Sequence, residues 1–216
     1  MKIYAISGLG ANEKVFEKLK IPPNFEWMYI PWLIPARDEE VSSYAFRMAH
    51  TIDDSKEFIL LGLSFGGIIA QEIAKIKRPR KLILISTIKA NSEKPFWIQI
   101  NRVIPLYKIF PYILLNKGPL VGWFSMVRQC LNPDRPNLAR LYSMRDECYT
   151  RWAFKQVVYW DSKENLECEV YHIHGTGDFI FPIWNIKNAI KIKGGGHLAV
   201  YEKAELVSKE LIGILK

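Results

Sequence analysis

The residue best placed to do chemistry is Ser64, in Leu60-Leu61-Gly62-Leu63-Ser64-Phe65-Gly66-Gly67-Ile68. An apolar run passes through a Gly-x-Ser-x-Gly step into a helical pattern. A serine on such a sharp strand-to-helix turn lifts its hydroxyl above the sheet at a helix N-terminus, and Gly62 and Gly66 relieve the crowding two residues to either side. The bare pattern arises by chance in about one chain of this length in fifteen, so its weight comes from its setting. The plainer alternative for Ser64 is an ordinary helix N-cap.

A serine hydroxyl needs a base whose own pKa lies near neutrality, which points to histidine. The chain has four. His50 ends a helical pattern without glycine context and reads as structural. His172 and His174 alternate along a strand and could be a metal-binding His-x-His pair, but no further ligand cluster accompanies them. His197 follows the turn Gly194-Gly195-Gly196 after the last strand pattern, at the carboxyl edge where ligands bind in open α/β sheets. It is the expected base. Asp178, in Gly175-Thr176-Gly177-Asp178, follows the penultimate strand at the same edge and is expected to orient His197 and stabilise its imidazolium. Alone, an Asp there reads as a turn cap. The chain order Ser, Asp, His adds to its weight.

Acyl chemistry on Ser64 would also require two preorganised N–H donors for the oxyanion. Phe65, directly after the serine, is one. Leu9 is the other, in the loop Ser7-Gly8-Leu9-Gly10 after the first strand, where Gly8 and Gly10 allow a tight approach. A dinucleotide-binding loop is the competing reading of Gly8-x-Gly10; it fails at the third glycine, where Glu13 stands.

These residues need a scaffold, and the hydrophobic pattern supplies one. Apolar, often β-branched runs at 2–7, 25–30, 58–63, 81–86, 169–174 and 189–193 predict strands covered on both faces. Helical patterns over 12–20, 39–53, 65–77 and 201–215 alternate with them, the arrangement of a doubly wound, mostly parallel α/β sheet. The alternation stops over 88–165, which carries 13 of the chain's 28 aromatic residues and repeated prolines. This segment, helical at least over 138–160, predicts a cap inserted in a core of residues 1–87 and 166–216; extra helices that complete the core are the alternative.

The chain is 216 residues long and 49% hydrophobic, enough for one sizeable core. Its first apolar stretch is too short for a signal-peptide core and no run approaches a membrane span, so a cytoplasmic protein without stable membrane insertion is expected. Three cysteines, Cys130, Cys148 and Cys168, without Cys-x-x-Cys spacing suggest neither disulfides nor zinc. The formal charge of +8 is concentrated in the insertion, with twelve Lys and Arg against six Asp and Glu. No basic run or nucleic-acid motif accompanies it, so a solvated face, or attraction of acidic ligands, is expected rather than nucleic-acid binding.

With these residues in place the chain resembles the α/β-hydrolase superfamily, in particular its small, capped, esterase-like members. Gly62–Gly67 looks like the nucleophile elbow, residues 175–182 are similar to the acid turn, and 194–197 to the histidine loop. The resemblance implies a core of about eight strands; with six candidates the N-terminal antiparallel hairpin is expected to be absent. It also implies a cofactor-free serine hydrolase acting on a small ester or thioester. Acyl transfer, C–C bond hydrolysis, a lyase reaction, or a non-catalytic binding protein are the alternatives. One departure stands out: Ser7-Gly8 occupies the place of the usual His-Gly pair. A backbone donor should survive that change; the loop's support and the preferred substrate are what the departure bears on.

Overall fold

The computed structural model describes residues 1–105, 138–144, 146–162 and 166–216. Its centre is strand β3 (Phe58–Leu63), buried at all six positions. Around it lie β1 (Lys2–Ile6), β2 (Glu26–Tyr29), β4 (Lys81–Ile85), β5 (Glu169–Gly175) and β6 (Ile190–Ile192). They form one sheet in the order β2-β1-β3-β4-β5-β6, with every pairing parallel. The six predicted strands are all present, shifted at most by a residue or two at their ends.

Because side chains alternate across a strand, each strand feeds two cores. Tyr4, Ile6, Leu60, Leu82 and Leu84 point to one face, covered by α1 (Val41–Ala49) and α2 (Phe65–Lys77). Ile3, Ala5, Ile59, Leu61, Ile83 and Ile85 point to the other, covered by the C-terminal α7 (Ala204–Leu215). Each fully buried Ile or Leu on these faces gains roughly 1.5–3 kcal/mol from leaving water. Between β1 and β3 the order of strand addition reverses. The chain leaves β1 toward the α7 face, where Val15 and Phe16 are buried, and leaves β3 toward the opposite face as α2. Loops diverging from two adjacent strand ends open a crevice at the carboxyl edge.

Two helical expectations are corrected. The helix expected over 12–20 is a single 3₁₀ turn at Glu13–Phe16. Its burial pattern is real, but Leu19 N–H donates to Phe16 O and Lys20 N–H to the Ser208 hydroxyl of α7, and Pro22-Pro23 prevents continuation. The helix expected over 138–160 is broken into α4 (Leu138–Leu141) and α5 (Glu147–Tyr159). At the break Tyr142 bridges to Ala11, and the N–H groups of Ser143 and Met144 donate to Gly10 O at 3.0 and 3.1 Å. Asp146 then caps α5 through Tyr149 N–H. The C-terminal helix likewise begins with a separate short turn, α6 (Ala199–Glu202).

Of the cap expected over 88–165, residues 106–137, 145 and 163–165 lie outside the described residues. Before this gap lies a short helix, α3 (Phe96–Gln99); after it, α5 buries Tyr149, Trp152 and Ala153 in the core on the α1 and α2 face. No helix among the described residues is long and apolar enough to cross a membrane.

Lys94 ties the start of the 88–165 segment to its end. Only 1% exposed, it donates from Nζ to Val158 O at 2.9 Å and to Trp160 O, carbonyls at the negative end of α5. Burial pushes its pKa down to about 7; nearby Arg102 acts in the same sense and Asp161 opposes it. Between pH 7 and lysine's ordinary value near 10.4 the folded chain therefore binds fewer protons than the unfolded one, so stability rises with pH across that window. Lys94→Met is expected to flatten this rise. Urea unfolding midpoints at about pH 6, 8 and 10 check it, and an unchanged slope in the variant would contradict the assignment.

Candidate active site

Ser64 occupies the turn between β3 and α2 with φ 53° and ψ −120°, a conformation rare for a residue with a side chain. Such a backbone costs on the order of 1–3 kcal/mol and persists only where its surroundings hold it. Ser64 N–H donates to Ile85 O at 2.9 Å, while its carbonyl accepts from Gly67 N–H at 2.9 Å and Thr87 Oγ1 at 2.7 Å.

The flanking glycines are required by close approach. A Cβ on Gly62 would lie 2.5 Å from Gly66 O, and one on Gly66 would run into the backbone oxygens of Ser7 and Ile6. These obstacles are main-chain atoms that cannot step aside. Gly66→Ala is accordingly expected to cost about 3 kcal/mol of stability, or to prevent folding, as read from the urea midpoint. A variant as stable as the native chain would contradict this packing.

The serine meets the other two sequence candidates directly. His197 Nε2 lies 2.8 Å from Ser64 Oγ, and His197 Nδ1 lies 2.8 Å from Asp178 Oδ2. Their alignment comes from contact between the two loops: Gly177 N–H donates to Gly195 O at 2.8 Å and Gly194 N–H to Thr176 Oγ1 at 2.9 Å. Asp178 is buried, and its Oδ1 accepts the N–H groups of Ile180 at 2.8 Å and Phe181 at 3.0 Å. Burial alone would raise this carboxyl. Hydrogen bonds from His174 and His197, the His197 charge and the Phe181 N–H outweigh it, holding Asp178 well below the usual carboxylate range. The carboxylate thus stays ionised opposite the imidazole.

The remaining histidines fall into place around this. His174 stands behind the carboxylate, with Nε2 2.7 Å from Phe181 O and 3.3 Å from Asp178 Oδ2. Its Nδ1 is 3.3 Å from His172 Nε2. Burial, reinforced by His174 and Lys89, lowers His172 well below the ordinary histidine value and keeps it neutral. The two rings are thus bonded to each other and, through His174, to Phe181 O and Asp178. Among the described residues His172 Nδ1 is buried without a hydrogen-bond partner, and no group of three or more His, Cys, Asp or Glu could hold a metal ion. His50 is exposed at the end of α1, edge-on to Phe46. Cys148 and Cys168 are free thiols, and Cys130 lies outside the described residues.

The loop carrying Leu9 passes beside Ser64: a Cβ on Gly8 would sit 3.6 Å from Ser64 Cβ. That spacing is ordinary, so Gly8 is not sterically demanded. Gly10 is, with φ +67° and the Met144 carbonyl where a Cβ would go. Among the described residues neither the Leu9 nor the Phe65 amide donates to a protein acceptor.

Ser7, the departure noted in the sequence, is fully buried and donates to Ala11 O at 2.7 Å, closing the loop on itself. It also meets Tyr29 OH at 3.1 Å and accepts from Trp32 Nε1 at 3.0 Å. Trp32, Tyr29 and Tyr149 were not singled out by sequence reasoning. Trp32 follows Pro31 just past the second strand, at the same carboxyl edge, which is the signal that could have found it. Tyr149 is 139 positions from its partner Gly10 and carries no such signal.

A parallel sheet with a switch point between β1 and β3, and a positive-φ serine, histidine and aspartate joined across its carboxyl edge, define the α/β-hydrolase fold. Solved structures share the fold over nearly the whole chain. A hydrolase from Pseudomonas aeruginosa PA01 superposes with a TM-score of 0.72 at 15% identity, covering 99% of this chain and 89% of that one. The enol-lactonase from Burkholderia xenovorans LB400 gives 0.71 at 15% identity, with 99% and 90% covered. A thermophilic esterase from Thermogutta terrifontis gives 0.66 at 18% identity, with 100% and 89% covered. No protein-family model matches the sequence, and no curated protein matches it significantly.

Proposed function

We propose that the protein is a serine hydrolase that cleaves a small ester or thioester through an acyl-enzyme on Ser64. The observation that carries the reading is the continuous chain Ser64 Oγ, His197, Asp178, with both contacts at 2.8 Å, on a serine held at positive φ. His197 Nε2 takes the hydroxyl proton as Oγ attacks the carbonyl carbon. The oxyanion that forms is received by the N–H groups of Leu9 and Phe65. The carbonyl then re-forms, the C–O or C–S bond breaks, and the alcohol or thiol leaves with the proton from His197. Water, activated by the same nitrogen, attacks the acyl carbon and releases the acid, returning the proton to Ser64. Asp178, ionised throughout, fixes the His197 tautomer. The names of two of the similar structures, an esterase and an enol-lactonase, denote attack on an ester carbonyl and support this choice of bond.

Labelling with a fluorophosphonate tests the reading. Native protein is expected to become modified at Ser64, identified by peptide mass, and Ser64→Ala to remain unlabelled. Folded native protein that fails to react would overturn the proposal.

A further inference from the structure

Two N–H groups can act together on one oxygen only if their separation is fixed to a few tenths of an ångström. Here they belong to different loops, Leu9 after β1 and Phe65 after β3, so the chain itself does not set their spacing. Trp32 contacts both. Its buried indole N–H lies 3.0 Å from Ser7 Oγ and 3.1 Å from Gly8 O, the two residues immediately ahead of Leu9. Its ring is stacked on the Phe65 ring, with centroids 5.4 Å apart and planes at 19°. Tyr149 completes the arrangement from α5. Its ring packs 5.5 Å from Trp32, and its hydroxyl accepts the Gly10 N–H at 3.2 Å. Leu9 is therefore held between a residue fastened to Trp32 and one fastened to Tyr149.

We infer that Trp32 is a positioning residue that sets the relative placement of the Leu9 and Phe65 N–H groups. It acts through the Ser7 hydroxyl and Gly8 carbonyl on one side and the Phe65 ring on the other. This rests on Ser64 being the nucleophile of a serine hydrolase. The indole matters for two reasons at once: the fused ring stacks on Phe65, and its single N–H, shared between two oxygens, reaches across to the other loop. Phenylalanine at this position would keep a ring for the first contact and lose the second.

The test compares native protein with Trp32→Phe using p-nitrophenyl acetate as substrate and phenylboronic acid, which forms a tetrahedral adduct on an active serine, as inhibitor. Loss of a whole oxyanion donor costs about 10²–10³ in kcat, so displacement of one should cost roughly 10- to 100-fold. The expected pattern is a fall of that size in kcat, a KM within about two-fold of native, and boronate affinity falling with kcat rather than with KM. The pH profile of kcat/KM should keep its shape, because Ser64, His197 and Asp178 are untouched.

Ser7→Ala removes the hydroxyl that Trp32 grips and serves as the second route should Trp32→Phe not fold. It is expected to show the same split, and the double variant to fall little further than the more affected single one. The inference is overturned if native protein is active and the variants match it in kcat and boronate affinity, or if kcat holds and only KM rises. If native protein neither hydrolyses the ester nor labels at Ser64 with fluorophosphonate, the hydrolase reading fails, and this inference with it.

Discussion

Ser64→Ala is expected to reduce turnover of p-nitrophenyl acetate by roughly 10⁴- to 10⁶-fold, the range seen when the nucleophile of such a unit is removed. The expectation follows from how little else at the site could replace it. His197 Nε2 is 2.8 Å from Ser64 Oγ and would be left facing the substrate without a hydroxyl to activate. The unfolding midpoint should move little, because the backbone bonds of residue 64 to Ile85, Gly67 and Thr87 do not use its side chain. A variant retaining more than about a tenth of native turnover would remove Ser64 from the mechanism.

Asp178→Asn should be nearly as damaging, with kcat falling by about 10⁴ at neutral pH. The local geometry dictates the reason. Oδ1 accepts two backbone N–H groups, from Ile180 and Phe181, so an asparagine must place its oxygen there. Its NH₂ group then occupies the Oδ2 position, where His197 Nδ1 lies at 2.8 Å and His174 Nε2 at 3.3 Å. A donor facing His197 Nδ1 forces that nitrogen to become the acceptor and puts the ring proton on Nε2. His197 in that tautomer cannot take a proton from Ser64. Measured kcat within ten-fold of native would show that Asp178 does not govern the His197 tautomer.

Both expectations rest on residues that could be read from the chain, and the physical reason is local. Gly62-Leu63-Ser64-Phe65-Gly66 is legible as a motif: a side chain on Gly62 would collide with the turn's own Gly66, and one on Gly66 with the backbone of Ser7 and Ile6 at the end of β1. The six strands could be read because a strand covered on both faces must be apolar at nearly every position, as 58–63 is. Asp178 and His197 needed one step more. Each follows a strand, and a parallel sheet brings all such loops to one edge.

Local pattern failed where partners far along the chain decide the backbone's hydrogen bonds. Val15, Phe16 and Leu19 have helical spacing and are buried, yet Lys20 N–H is taken by Ser208, 188 positions away, and the segment is a 3₁₀ turn. The pattern over 138–160 likewise gives no hint that Ser143 and Met144 would leave the helix to cap Gly10 O.

By itself, then, the sequence determined the doubly wound sheet, the Ser64 turn and the edge at which Ser64, Asp178 and His197 stand. Each of these follows from period, steric demand and strand polarity, all short-range properties. Tertiary structure alone decided how the site is braced: Ser7 closing its own loop, Trp32 gripping that loop while stacking on Phe65, and His174 backing Asp178. Trp32 joins segments with no periodic relation, whereas the Ser7–Ala11 and His174–Asp178 contacts each span four residues that are not helical; in each case buried polar atoms meet their desolvation cost only by being brought together.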